Sequence, residues 1–202
     1  EGKSIYIDYR WAEGDYNRLP DLAVELVRLN VDLIVTAGAP ASLAAKKATA
    51  TIPVVIASSG DAVAYGLVAS LARPGGNVTG LSFFQPELLA KRMEFIKEVA
   101  PRTVRVAYMM NVGIRFARTP ILNAMQAAAK SLKMELHTFE VSGPGDFGAA
   151  FEAMASKRIE AIALGEDAMM VANGKAITDL AIKRRFPLVG GTEYASVGGL
   201  IG

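Results

Sequence analysis

Short apolar runs alternate with amphipathic segments along the whole chain. In Ser4–Arg10 the side chains alternate, with Ile5, Ile7 and Tyr9 on one face and Tyr6, Asp8 and Arg10 on the other, which predicts a half-exposed or edge strand. Leu19, Leu22, Leu26 and Leu29 recur at helical spacing and predict a helix over Arg18–Leu29. Val31–Thr36 is apolar except for Asp32, the pattern of a strand buried on both faces. A helix is expected in the alanine-rich Ala41–Ala50, another buried strand at Ile52–Ala57, and a helix over Asp61–Ala72 with Asp61 as its N-cap. Arg73-Pro74-Gly75-Gly76-Asn77 is the strongest turn signal in the chain. It leads to a short strand at Val78–Ser82 and a helix over Pro86–Ala100 striped by Leu89, Met93 and Ile96.

The cycle then repeats three times. Strands are predicted at Val104–Met110, Met134–Val141, Ala161–Leu164 and finally Phe186–Gly190. Helices are predicted over Thr119–Leu132, Phe147–Ser156 and one long segment near Ala168–Arg185. Repeated strand–helix–strand units imply right-handed crossovers and parallel sheets with helices on both faces. A length of 202 residues accommodates two lobes of roughly 100 residues each. Their boundary is expected near Gly80–Phe84, giving an N-terminal lobe over 1–82, a C-terminal lobe over 83–196 and the start of a return crossover at 197–202.

Composition narrows the function. Hydrophobic residues make up 51% of the chain and charged residues 21%, enough apolar material for real cores. The net charge of +2 comes without a dense basic block, so no nucleic-acid partner is expected. Lys46-Lys47 and Lys183-Arg184-Arg185 fall at predicted helix ends, where cations complement the helix dipole. With no cysteine, thiol catalysis, disulfides and zinc–thiolate sites are excluded together. No stretch approaches the roughly 20 apolar residues that span a bilayer.

In open parallel sheets, ligands sit beyond the carboxyl ends of the strands. The segments so placed are 36–42, 57–61, 82–85, 110–115, 165–167 and 190–194. They carry the polar groups Ser58, Asp61, Asn111, Arg115, Glu166, Asp167 and Glu193. Pro40 in the first turn of its helix leaves N–H groups at Ala41 and Ser42 suited to a carboxylate. Asp61, Asp167 or Glu193 then offers a partner for an ammonium; the plainer reading makes Asp61 a helix cap and the acidic pair 166–167 loop solvation. Phe83, Phe84 and Tyr194 either line an aromatic pocket or pack the hinge, and packing is the better expectation for such rings.

Catalytic constellations are absent. The single histidine, His137, lies in an alternating strand and reads as a surface position. There is no metal-spaced ligand set and no Gly-x-Ser-x-Gly elbow, so neither a metal, a cofactor nor an enzymatic activity is expected. Gly143-Pro144-Gly145-Asp146-Phe147-Gly148 matches a dinucleotide fingerprint in form only. Pro144 removes an amide, and Asp146 sets a negative charge where pyrophosphate would lie and reads better as a helix N-cap.

Several segments together resemble one family, the bacterial ABC-transporter substrate-binding proteins that include tryptophan- and tyrosine-binding components. They are the run from Tyr9 to Gly14, Asp21-Leu22-Ala23 with Glu25-Leu26-Val27, the Ala48–Val55 segment, Lys91-Arg92-Met93-Glu94, Gly198-Gly199-Leu200 and, most specifically, the long run Gly66–Ser82. The resemblance spans nearly the whole chain. It implies a type I periplasmic-binding-protein-like α/β fold of two Rossmann-like lobes with parallel sheets joined by a hinge. It also implies capture of a small organic molecule between the lobes, an amino acid with aromatic ones favoured, and delivery to an ABC transporter permease outside the cytoplasm. Asn111 matches a family Asn after the first strand of lobe two, and Asp167 an acidic residue after a later strand. Asp61-Ala62-Val63 stands where the family has Asp-Pro-Val.

The resemblance further implies a leader, a first strand and a first helix ahead of Glu1 and more chain after Gly202, so the fold is expected to be truncated at both ends. An N-terminal lobe without its first strand would expose unpaired backbone, and a homodimer through that edge is one expected consequence. The ligand set expected from these arguments is Ala41, Ser42, Ser58, Asp61, Phe84, Asn111, Arg115, Asp167 and Glu193. The alternative function is a repressor-type ligand sensor; an isomerase or racemase is a third, weakened by the single histidine and absent cysteine.

Overall fold

The computed structural model describes residues 4–82, 85–113 and 115–199, apart from the side chains of 85–86 and 115–117. The chain divides into two compact units, Glu1–Phe83 and Phe84–Gly202.

In unit 1 a single turn at Tyr16–Arg18 leads into α1 (Leu19–Arg28), followed by β1 (Ile34–Ala37), α2 (Ala39–Ala48), β2 (Val54–Ser58) and β3 (Val78–Gly80). The three strands pair in parallel in the order β1-β2-β3, with Ile34 opposite Val54 and Val54 opposite Val78. Those three side chains, with Ile56, Ala45 and Leu67, form the buried core, and α1 packs against α2. Burial of these branched apolar residues against alanines lets helix and sheet approach closely. The Pro-Gly-Gly-Asn turn is pinned by Asn77, whose Nδ2 donates to the Thr49 carbonyl (3.1 Å) and the Ile52 carbonyl (2.7 Å).

Unit 1 departs from the sequence expectations at three places. Ser4–Arg10 forms no strand, and Ile5, Tyr6, Ile7 and Tyr9 are exposed. Alternation stabilises a strand only where a neighbour takes its backbone groups and a layer covers its apolar face, and no neighbour is found among the described residues. The segment is instead held by the Arg10–Glu25 ion pair, while the Tyr9 and Trp11 rings stack at 5.8 Å. The strand predicted to be buried on both faces is buried on one: Ile34 and Thr36 are covered, but Val35 is 62% exposed. Third, Asp61–Ala72 is a series of turns, not a helix. Leu67 and Val68 N–H both return to the Ala62 carbonyl, and Gly66 takes φ +67°, which closes the first turn before a second can form.

Unit 2 runs α3 (Gln85–Val99), β4 (Arg105–Asn111), α4 (Arg115–Ser131), β5 (Glu135–Val141), α5 (Phe147–Ser156), β6 (Ala161–Leu164), α6 (Ala168–Ala172), α7 (Gly174–Lys183), β7 (Leu188–Val189) and α8 (Thr192–Ala195). Its four strands are parallel in the order β5-β4-β6-β7. The central strands are the apolar ones: every residue of β6 is buried, and so is β4 from Val106 to Asn111. The edge strand β5 alternates, as the half-buried His137 position requires. Leu89, Met93 and Ile96 seat α3 in the core, and Ile121, Met125 and Ala129 do the same for α4.

The long helix expected near Ala168–Arg185 is two helices. Asn173 leaves helical geometry (φ −106°, ψ 14°) and donates its Nδ2 to the Met169 carbonyl, ending α6 before Gly174 opens α7. Nor does Asp146 cap α5. Its carboxylate turns back to the Ser142 N–H (2.7 Å), which lowers its pKa chiefly through the Ser142 hydroxyl.

Gly80 gives the fold a sharp test. At φ +137° a Cβ would lie within 3.0 Å of the backbone N, C and O of Ile56 on the paired strand. Gly80→Ala should therefore cost about 2–4 kcal/mol of stability, read as a lowered urea midpoint, whereas Gly76→Ala, with open space around it, should leave the midpoint unchanged.

Candidate functional site

The connection after β4 leads to β5 on one side of the sheet, while β6 lies on the other side of β4. The strand order therefore reverses between β4 and β6, and the crevice at such a reversal is where open parallel sheets bind ligands. Asn111 ends β4, and Asp167 follows β6. Their side chains meet there: Asn111 Nδ2 donates to Asp167 Oδ1 at 3.0 Å, and Asn111 Oδ1 accepts from Gly113 N–H at 2.8 Å. Asp167 Oδ1 also accepts from the Met169 N–H (2.9 Å) and caps α6. Asn111 is buried and Asp167 half-buried, so the local sequence folds around this pair to satisfy polar groups that water reaches poorly.

Around the pair lie further charges. Glu193 is exposed in the first turn of α8. A Cβ at Gly191 would collide with Glu166 Oε1 and approach Glu193 Oε2 to 2.6 Å, so the two carboxylates flank the same bare backbone position. Tyr194 is fully buried against Gly190 and Gly174, which makes it a packing residue; its hydroxyl donates to the Gly165 carbonyl at 3.4 Å. Burial, and then the charges of Asp167, Glu166 and Glu193, raise the pKa of that phenol well above the usual tyrosine range.

Sequence reasoning passed over Arg92 and set Glu166 aside as loop solvation. Arg92 is 9% exposed and forms an ion pair with Glu166; its Nη1 also reaches the Leu164 carbonyl at 3.4 Å. The signal was an arginine inside the apolar stripe of α3, three residues after Leu89 and next to Met93. Arg115 opens α4, its side chain outside the description, and Phe83 and Phe84 lie outside the described residues altogether.

In unit 1 the strand ends carry a second set. The first turn of α2 holds Pro40 and has no side-chain cap. Ser42 N–H goes to the Gly38 carbonyl, which leaves the amides of Ala39 and Ala41 without an intrahelical acceptor. Ser42 is fully buried, and its hydroxyl is held between Thr36 Oγ1 (2.8 Å) and the Gly38 carbonyl (2.9 Å), so it braces the turn from inside. Ser58 is exposed at the carboxyl end of β2, its carbonyl accepting from Gly38 N–H. Asp61 is half-buried and accepts from the Val63 and Ala64 N–H groups at 3.1 and 3.0 Å. Burial, and secondarily the Asp61 charge, push the neighbouring Tyr65 hydroxyl up to about 12.

No group of three metal-ligating side chains occurs among the described residues, and none of the described helices is long and apolar enough to cross a membrane.

Residues 1–202 match the family described as ABC transporter substrate binding protein. A tyrosine-binding protein of Clostridioides difficile (strain R20291) is 25% identical over 193 residues, 96% of this chain and 55% of that protein. The chain thus spans about half the length of this curated relative. Among solved structures, a conserved domain protein from Vibrio cholerae O1 biovar El Tor is 28% identical with a TM-score of 0.87, covering 98% of this chain and 66% of the other. A Streptococcus pneumoniae ABC domain in complex with L-Trp is 25% identical with a TM-score of 0.86, covering 100% and 68%.

Two outcomes follow from this geometry. Asn111→Ala removes donor and acceptor together from a buried junction and should lower the unfolding free energy by about 1–3 kcal/mol; an unchanged urea midpoint would show that the junction carries no stability. Tyr65 ionises near 10 when unfolded but only at about 12 when folded. Its contribution is intact below pH 10 and is lost as pH rises toward 12. Stability measured at pH 9 and 11.5 should fall less in Tyr65→Phe than in the parent protein.

Proposed function

The chain belongs to the ABC transporter substrate-binding protein family, and we propose that it is the solute-capturing component of an ABC importer, taking an amino acid with an aromatic side chain. Its fold is the parallel α/β arrangement of type I periplasmic binding proteins, and the family is one of binding proteins, not of a known enzyme class. The observation that carries the proposal is the Asn111–Asp167 pair at the reversal of strand order in unit 2.

Each unit offers one chemistry. In unit 2, Asp167 and Glu193 provide anionic oxygens for a ligand ammonium, with Asn111 fixing the Asp167 carboxylate and Arg115 opening the helix that follows β4. In unit 1, the Ala41 amide at the start of α2 suits a carboxylate, and Ser58 and Asp61 supply further polar contacts at the strand ends. Ser42 acts through the shape of that turn, its hydroxyl being committed internally. The preference for an aromatic ligand is supported by relatives described as tyrosine-binding and as bound to L-Trp. Delivery to a membrane permease from outside the cytoplasm accords with the family.

Thermal unfolding with L-tyrosine, L-tryptophan, L-leucine and glycine tests the reading. A ligand at a hundred times its Kd stabilises the native state by about 2.7 kcal/mol, so an aromatic amino acid should raise Tm by several degrees and glycine should not. Asp167→Asn should weaken that binding about tenfold or more in isothermal titration. Absence of any shift with all four amino acids would overturn the assignment.

A further inference from the structure

The charges at the carboxyl end of the unit 2 sheet are unequal. Glu166, Asp167 and Glu193 contribute three carboxylates, and one guanidinium, Arg92, enters from α3. All four act on the buried Tyr194 hydroxyl, the carboxylates raising its pKa and Arg92 opposing them. They therefore form one electrostatic neighbourhood, and the way Arg92 distributes its charge within it matters.

Arg92 spends that charge on one residue. Its side chain is 10% exposed and that of Glu166 14%, and their ion pair sits beneath the turn that joins β6 to α6. The same guanidinium reaches the carbonyl of Leu164, the last residue of β6. Arg92 thus grips both ends of a short segment, Leu164 and Glu166, and the next residue is Asp167. Gly165 between them has no room to shift: its N–H donates to the Met109 carbonyl at 2.8 Å, and a Cβ there would press on the Tyr108 hydroxyl at 3.2 Å. Glu193, by contrast, is exposed.

We infer that Arg92 is a positioning and specificity-determining residue, which neutralises Glu166 and holds the 164–166 segment so that Asp167 and Glu193 alone face a ligand ammonium. The inference rests on the proposed capture of an amino acid. A planar, permanently charged guanidinium suits the task because it engages a carboxylate and a carbonyl at once, which a lysine cannot do in one geometry. Without it, Glu166 becomes a partly buried anion beside two others, and repulsion displaces the turn that carries Asp167. Binding that depends on an oriented ammonium contact is lost with sub-ångström displacement, whereas the aromatic and carboxylate parts of the ligand are not affected.

The probes are L-tyrosine and its deaminated analogue 3-(4-hydroxyphenyl)propionate, titrated calorimetrically into the parent protein, Arg92→Met, Arg92→Lys, Glu166→Gln and the Arg92→Met/Glu166→Gln double variant. In Arg92→Met, L-tyrosine affinity should fall tenfold or more, and affinity for the deaminated analogue should change less than threefold. The double variant should recover most of the loss, because the unpaired anion is gone, and Arg92→Lys should fall between the single variant and the parent. Glu166→Gln keeps the fold even if Arg92→Met does not, and it should bind L-tyrosine within threefold of the parent.

A tenfold loss in Glu166→Gln would make Glu166 itself the ammonium partner and overturn the inference. So would an equal loss for both ligands in Arg92→Met, absence of recovery in the double variant, or unchanged or tighter binding of L-tyrosine in Arg92→Met. Failure of the parent protein to bind either ligand, with no shift for any other amino acid, would instead refute the capture function on which the inference rests, and the inference would fall with it.

Discussion

The parallel pairing of β4 between β5 and β6 is the constraint from which the rest of unit 2 follows. A strand flanked on both sides and covered on both faces must be apolar, and Val106 to Met110 are all but inaccessible. Such a strand can place polar groups only where it ends. Asn111 is the first residue of β4 able to hydrogen-bond through its side chain at that end, and it spends both halves of its amide, one on Gly113 and one on Asp167. The requirement that buried polar atoms be partnered thus ties the ends of neighbouring strands together. Chemistry concentrates at the carboxyl edge because the rest of the sheet excludes it.

Arg92 extends this logic into the helix layer. An arginine among Leu89, Met93 and Ile96 would be costly without a partner, and Glu166 and the Leu164 carbonyl supply one. The ion pair is therefore weak evidence for stability and better evidence for geometry, since it fixes the turn that presents Asp167. Gly165, Gly190 and Gly191 complete the arrangement by leaving space for Tyr108, Tyr194 and the two glutamates. In each case the missing side chain is a packing requirement set by a residue far away in the chain.

Unit 1 solves a smaller problem with fewer strands. Its three-stranded sheet covers one face of β1 and leaves Val35 and Leu33 open. The close approach of Gly80 to Ile56 and the Asn77 contacts with the loop before β2 hold β3 in register. Ser42, buried and satisfied within the unit, shows how a polar residue at a helix start can serve the fold and leave the neighbouring backbone amides to serve a ligand.

The sequence by itself determined the alternation of strands and helices, their parallel class and most of their positions, because period and burial are local consequences of residue type. It identified Asn111, Asp167, Asp61 and Ser58 as strand-end groups for the same reason. Long-range contacts decided what remained. Ser4–Arg10 has a strand's alternation but no neighbour among the described residues to pair with, and Val35 has a buried residue's character without a covering layer. Asn173 breaks a helix that period alone would continue, and Asp146 answers Ser142 instead of the helix it precedes. Arg92 and Glu166 lie 74 positions apart, and nothing in the character of either residue announces the other. Charge pairing across that separation exists only once the sheet has brought α3 beneath the end of β6.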